Sequence, residues 1–544
     1  NDGRFLDYTV SKEETEEAWE DLRNEFSDLE YGHGVTDFSQ LWKLDLTSWR
    51  TEKLIDESRV INDFAVSPDQ SRIAMLTTPD EELIHNEGWS RVDVYDAATE
   101  NVSVVTGEGW RSDHPSPYGW LEGVVWSEDN HALSFAISYD GFPTELYVAE
   151  WWGRAVTTRK LVRSGMWTVG GGSQTWRGAS RGLCFNTDDR ARKRVICIND
   201  VRNGGQGHTR TLTPGDEVVM SFDFDSKGDV LAVVAATTTH PPDIALISVD
   251  GDVDRLTRVN PQVDRWKLPQ ISLVKWKGAD GDMVEGILEL PPDYKPGKPL
   301  PMVVEIHGGP TSASTYNLRF WIYGRTLLPA KGYALLSPNY HGSTGYGDEF
   351  LTKLIGREND IEVEDILKGV EAMIQRGIAD PNRIGVMGWS NGGFLTNCLI
   401  TKSDRFKAAS SGAGVLDMVI QWGSEDTPGH VINYMSGALP WSNPEAYRHG
   451  SPMYELDKVK TPTLIHVGGD DPRVPPAHSR ALYRALRHYL HVPTELIVYP
   501  GEGHGLTTYT NRKAKMKWDL AWFDRYLRSE TAETDERKTT AVVN

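Results

Sequence analysis

A chain of 544 residues is too long for a single hydrophobic core, so two or more domains are expected. Hydrophobic residues make up 39% and charged residues 25%, which describes a globular protein, and no apolar run is long enough to span a membrane. A formal net charge of −21 argues against a nucleic-acid partner, whose phosphates would be repelled, and reads instead as a solvated surface.

Residues 11–27 read as a first helix. Ser11 stands as a cap with Glu14 three residues on, and Glu13, Glu14, Glu16 and Glu17 suit the positive end of a helix dipole. A repeat follows. Short alternating runs recur at Leu41–Leu46, Arg91–Asp96, Glu145–Glu150, Arg194–Asn199 and Asp243–Ser248, with starts 50, 54, 49 and 49 residues apart. Companion runs precede the last four, at Asp63–Ser67, Gly123–Ser127, Gln174–Arg177 and Ser221–Asp225. Three of these end in turn signals, Pro68-Asp69, Glu128-Asp129 and Lys227-Gly228. A period near 50 residues with several strands per unit predicts propeller blades, four complete and one incomplete at the start; an irregular β-sandwich is the alternative. A propeller must close its ring, so either the blades are few or some precede Asn1.

Cys184 and Cys197 lie on two apolar runs that could be neighbouring strands. A bridge between them is conceivable, but two buried thiols are the preferred reading. Few cysteines and no leader lean towards the cytoplasm, with secretion as the alternative.

From Ile271 the pattern changes. Ile271–Trp276 and Met283–Leu290 flank Asp280-Gly281, a hairpin signal. Strand candidates Pro301–Ile306, Tyr333–Ser337, Arg383–Met387, Ala408–Ser411, Thr463–Val467 and Thr494–Val498 then alternate with helix candidates Ile361–Arg376, Phe394–Thr401, Ala477–His488 and Arg512–Leu527. Such alternation means a mostly parallel sheet with helices on both faces. The expected division is a β-propeller over 1–265, an α/β-hydrolase domain over 266–530, and a polar tail over 531–544.

The chemistry gathers around Gly388-Trp389-Ser390-Asn391-Gly392, where an apolar strand ends in a Gly-x-Ser-x-Gly turn and a helical pattern follows. This is the context of a nucleophile elbow, with the backbone N–H of Asn391 aimed where an oxyanion would form. Serine needs a base, and His504 lies in a glycine-rich loop after the last apolar strand. The imidazole needs an acid in turn, and Gly468-Gly469-Asp470-Asp471-Pro472 follows an earlier strand; spacing alone does not separate Asp470 from Asp471. His307-Gly308-Gly309-Pro310 follows the strand Pro301–Ile306 and fits the second oxyanion donor.

Taken together, His307-Gly308-Gly309-Pro310, Asn339-Tyr340-His341-Gly342-Ser343-Thr344-Gly345-Tyr346-Gly347, Gly388-Trp389-Ser390-Asn391-Gly392-Gly393, Asp471-Pro472-Arg473-Val474-Pro475 and Gly503-His504 resemble the prolyl oligopeptidase family of serine peptidases. The nearest branch holds acylaminoacyl peptidases and type V dipeptidyl peptidases. The resemblance implies a Ser390–Asp471–His504 triad, selecting Asp471 over Asp470, and oxyanion donors at Asn391 and Gly309. It also implies that Arg473 binds a substrate carbonyl and that Val474 lines the primary specificity pocket; the plain alternative for Arg473 is a surface ion pair. Asn391 and His341 stand where the family often carries Tyr and Arg. The family usually closes seven blades, so by this resemblance the early propeller is missing, degenerate or supplied by another chain.

The implied activity is serine peptidase action on short peptides, releasing acylamino acids or dipeptides from N-termini, with the propeller as a sieve. A carboxylesterase and an inert propeller binding protein are the alternatives. No metal or cofactor motif stands out. The expected partners are short peptides and neither nucleic acid nor membrane, and a homo-oligomer is compatible with the sequence.

Overall fold

The computed structural model describes residues 3–15, 19–29, 35–56, 59–78, 90–106, 114–178, 182–202, 204–205, 207–248, 252–319 and 325–528. The polar tail over 531–544 lies outside them.

The N-terminal part carries five antiparallel sheets, spanning 5–56, 60–104, 120–160, 168–211 and 218–255. Strands adjacent in each sheet follow one another in the chain, the meander of a propeller blade, except that in the fourth sheet Thr168–Val169 and Thr175–Arg177 both pair with Gly182–Asp188. An apolar core fills the space between every successive pair of sheets. Leu41 and Ile55 meet Ile73 and Met75 between the first two, and Val92 and Val94 meet Leu121 and Phe135 between the next two. Leu146 and Val148 then meet Leu183 and Phe185, and Val195 meets Leu231 and Val233. The recurrent runs of the sequence form the third strand in each of the last four sheets. Among the described residues the first sheet has three strands, with Phe5–Thr15 preceding the run.

Two expectations are corrected here. Residues 11–15 are not helical: they end an 11-residue strand, Phe5–Thr15, paired in register with Val35–Asp45 from Phe5↔Asp45 to Thr15↔Val35. A full ladder of cross-strand hydrogen bonds outweighs a local capping pattern. Among the described residues of 11–27 an α-helix runs over Glu20–Glu25, and Glu16 and Glu17 lie outside them. Cys184 and Cys197 are not free thiols but a disulfide. They are direct cross-strand partners, with Cα atoms 4.0 Å apart. Disulfides persist in oxidising compartments, so the bridge removes the cysteine argument for a cytoplasmic location.

The C-terminal part is built on an eight-stranded sheet: β1 (Gln270–Lys277), β2 (Met283–Leu290), β3 (Leu300–Ile306), β4 (Ala334–Asn339), β5 (Ala379–Trp389), β6 (Ala408–Gly412), β7 (Thr463–Gly468) and β8 (Thr494–Tyr499). The strand order is β1-β2-β4-β3-β5-β6-β7-β8. The β1–β2 hairpin turns at Asp280-Gly281, both with positive φ (53° and 84°), and pairs antiparallel; β2 also meets β4 antiparallel, and all later pairs are parallel. Helices α1 (Ile361–Gln375), α2 (Asn391–Lys402), α3 (Pro476–Tyr483) and α4 (Tyr509–Leu527) cover the sheet. This is the α/β-hydrolase fold preceded by a propeller. In open parallel sheets, sites form beyond the carboxyl ends of the strands, and the loops after β3, β5, β7 and β8 carry the candidate residues.

The two parts touch through specific polar contacts. Arg163 grips Asp348 with Nη2 at 3.0 Å from each carboxylate oxygen. The Thr344 hydroxyl donates to Asp188 at 2.7 Å, and the Gly141 N–H donates to Thr311 Oγ1 at 2.8 Å.

Candidate active site

Ser390 sits between β5 and α2 with φ 61° and ψ −124°, a backbone strain that non-glycine residues rarely adopt and that aims its hydroxyl away from the sheet. The glycines around it are required by space. A Cβ on Gly392 would lie 2.1 Å from the Ile306 carbonyl oxygen, and one on Gly388 would lie 2.3 Å from that of Gly392. A tight strand–turn–helix passage is possible only without those side chains.

The structure brings the three separated candidates together. His504 Nε2 is 2.9 Å from Ser390 Oγ, and His504 Nδ1 lies 2.9 Å from Asp471 Oδ2 and 3.1 Å from Oδ1. Asp471 is buried, and its Oδ1 also accepts the backbone N–H groups of Arg473 (3.0 Å) and Val474 (2.9 Å). Asp470, which spacing left equivalent, is exposed. The His504 carbonyl accepts from Trp389 Nε1 at 2.8 Å, which ties the loop after β8 back to the elbow.

Asn391 opens α2, so its backbone N–H belongs to the first turn, where helical N–H groups lack an intrahelical partner. Gly309, with φ 119°, follows Gly308, whose Cβ would meet Ser390 Cβ at 3.2 Å. The loop after β3 therefore presses against the elbow. A polar brace holds the loop after β3 and the start of α2 together: the Tyr340 hydroxyl donates to the His307 carbonyl at 2.8 Å and receives the Asn391 amide at 3.1 Å. The His307 ring stacks on Tyr340 at 4.4 Å between centroids, and burial pushes its pKa down to about 4, leaving it neutral. The Asn391 side chain thus takes part in this brace. Tyr340 was inside a recognised motif, but its role as a brace has no signature in the sequence.

Two cavities meet at Ser390. One, of about 250 Å³, is bounded by Gly309, Ser390, Asn391 and His504, with Phe394, Val415, Met418 and the buried Val474 as its apolar walls. Val474 thus lines a cavity that opens at Ser390. Arg473 lines the same cavity and is ion-paired with Asp426, through Nε to Oδ1 and through Nη2 to Oδ2 at 3.2 Å. The ion pair is thus present, and Arg473 also faces the cavity beside Ser390. Sequence reasoning missed the polar wall of this cavity, formed by Glu358, Gln421, Glu425 and His430. The second cavity, of about 550 Å³, joins Ser390, His504 and His307 to Lys193, Val218 and Met220 of the propeller. Among the described residues no cluster of three or more His, Cys, Asp or Glu side chains could hold a metal ion.

Residues 321–530 match the prolyl oligopeptidase family model. The chain is 29% identical over 516 residues to the acylamino-acid-releasing enzyme of Sus scrofa, covering 90% of this chain and 62% of that one. It therefore spans less than two thirds of that curated relative's length. Two solved structures share the fold: a Mycobacterium tuberculosis puromycin-hydrolyzing peptidase (TM-score 0.70, 19% identity, 97% of this chain and 78% of that one) and a Pyrococcus horikoshii acylaminoacyl peptidase (TM-score 0.62, 20% identity, 91% and 87%).

Proposed function

We propose, from the premise that residues 321–530 form a prolyl oligopeptidase family domain, that this chain is a serine peptidase acting on short peptides through an acyl-enzyme. The observation that carries the reading is the unbroken hydrogen-bonded chain from Ser390 Oγ through the His504 ring to the buried Asp471 carboxylate. In this reading His504 Nε2 takes the hydroxyl proton as Ser390 Oγ attacks the peptide carbonyl. Asp471 keeps Nδ1 protonated and stabilises the imidazolium. The backbone N–H groups of Asn391 and Gly309 receive the oxyanion, a contribution worth about 100- to 1,000-fold per donor. The tetrahedral adduct collapses, the amine leaves with the proton from His504, and water repeats the sequence to free Ser390.

The substrate class follows from the relatives. The curated relative matched along 90% of this chain is named for releasing acylamino acids, which favours an acylated N-terminus over a free dipeptide. The division of labour proposed is a propeller over 1–265 that restricts access and a hydrolase over 266–530 that performs the chemistry. Arg473 and Val474 are assigned to substrate binding on the acyl side.

The test is a panel of acetyl-aminoacyl anilides, free dipeptidyl anilides and p-nitrophenyl acetate, with fluorophosphonate labelling of Ser390. Preference for the acetyl-aminoacyl compounds and labelling lost in Ser390→Ala are expected. Hydrolysis of the acetate ester alone would make the chain an esterase, and no labelling would make the hydrolase half inert.

A further inference from the structure

The cavity beside Ser390 holds more negative groups than its cations match. Arg473 is neutralised by Asp426. His430 Nδ1 faces Glu425 Oε2 at 3.8 Å; burial alone would lower His430, but Glu425, with Asp140 and Glu358 adding to it, outweighs burial and raises its pKa to about 10, while burial raises Glu425 as well. Two carboxylates remain. Glu358 is only 4% exposed, and no hydrogen bond or ion pair reaches its side chain among the described residues. Asp140 lines the same cavity from the propeller side.

The unsatisfied atoms of the wall point the same way. Gln421 Oε1, Glu425 Oε1 and Thr427 Oγ1 are buried without a hydrogen-bond partner, as is His430 Nε2. Three of these four can accept. Buried polar groups are rarely left unpaired, so the occupant should bring donors. Burial pushes the Glu358 carboxyl up to about 7, and the nearby His430 charge offsets this only in part. The apolar walls made by Phe394, Val415, Met418 and Val474 suit an aliphatic stem, whose charged head would then lie against the polar wall.

We infer that this cavity takes the side chain of an arginine or lysine on the acyl side of the scissile bond, with Glu358 as its counter-ion. The inference rests on the peptidase reading above and names the substrate class within it. Glu358 is assigned to specificity and touches no reacting atom.

The experiment measures kcat/KM of the full chain for acetyl-Arg, acetyl-Lys, acetyl-norleucine and acetyl-Phe coumarin amides. Norleucine carries an aliphatic stem like that of lysine without the charge. The basic substrates should exceed norleucine by about tenfold or more, and Glu358→Gln should lower the Lys-to-norleucine ratio by about 10- to 100-fold, the range of hydrogen bonds to charged groups. A ratio unchanged in Glu358→Gln, or a preference for norleucine or Phe, would overturn the inference. Should Glu358→Gln not fold, protection of Ser390 from fluorophosphonate decides: butylguanidinium should protect the unaltered chain at lower concentration than pentanol, and equal protection would overturn it. Hydrolysis in the apolar order would remove this inference alone; absence of both hydrolysis and labelling would remove the peptidase reading with it.

Discussion

Asp471 binds the His504 ring through the same carboxylate that organises the turn after β7: Oδ1 takes the N–H groups of Arg473 and Val474 while Oδ2 stands 2.9 Å from Nδ1. The carboxylate proposed to orient the base is thus fixed by the same turn that brings Arg473 and Val474 to the cavity beside Ser390. Asp471→Asn should lower kcat by about 10,000-fold, because the amide presents a donor to Nδ1 and favours the wrong tautomer. Steady-state kinetics on an acetyl-aminoacyl anilide checks this, and a drop below tenfold would remove Asp471 from the triad.

Gly392→Ala should destabilise rather than merely slow the protein. The added carbon would stand 2.1 Å from the Ile306 carbonyl oxygen, a backbone atom that cannot swing aside. Overpacking of this kind costs about 1–3 kcal/mol or more. A thermal melt matching that of the unaltered chain would contradict the packing argument.

Tyr340→Phe should reduce kcat by about fivefold and lower the melting temperature by about 2–4 °C. It removes the hydroxyl that bridges the His307 carbonyl and the Asn391 amide, one neutral hydrogen bond being worth about 1 kcal/mol. Undiminished kcat would show that the oxyanion segments hold their spacing without the bridge.

The loop bearing His504 should loosen in acid. For Glu502, burial alone would raise the pKa. The hydrogen bonds from Thr507, Thr508 and Asn511 outweigh it and hold the carboxyl at about 2. A depressed carboxyl contributes stability that is complete above its unfolded value, about 4.3, and is lost as pH falls towards the folded value. Protection factors for amide exchange across residues 501–508, taken relative to the intrinsic rate at each pH, should therefore fall between about pH 4.3 and pH 2, and Glu502→Gln should lack that step. Unchanged protection over this window would refute the brace.

Much of this arrangement was legible in the sequence because its signals are local. Gly-x-Ser-x-Gly after an apolar run needs no tertiary information, and the strand ends that carry Asp471 and His504 follow from alternation of strand and helix. The central blade strands were harder. Ala132–Ser138 is buried at every position, since cores press on both of its faces, and so it leaves no exposed alternation to read. The first hairpin misled because Ser11 and Glu14 mimic a helix start, whereas the register with Val35–Asp45 is a long-range fact. Glu358 was invisible for a related reason: it joins Gln421 and Glu425 at one cavity wall only after the chain folds, and no spacing connects them.

The Gly141 N–H that donates to Thr311 Oγ1 ties a propeller loop to a residue two positions beyond Gly309. A displacement of that loop would therefore be felt at the segment proposed to hold the oxyanion, and Thr311→Val, which removes the acceptor, would uncouple the two.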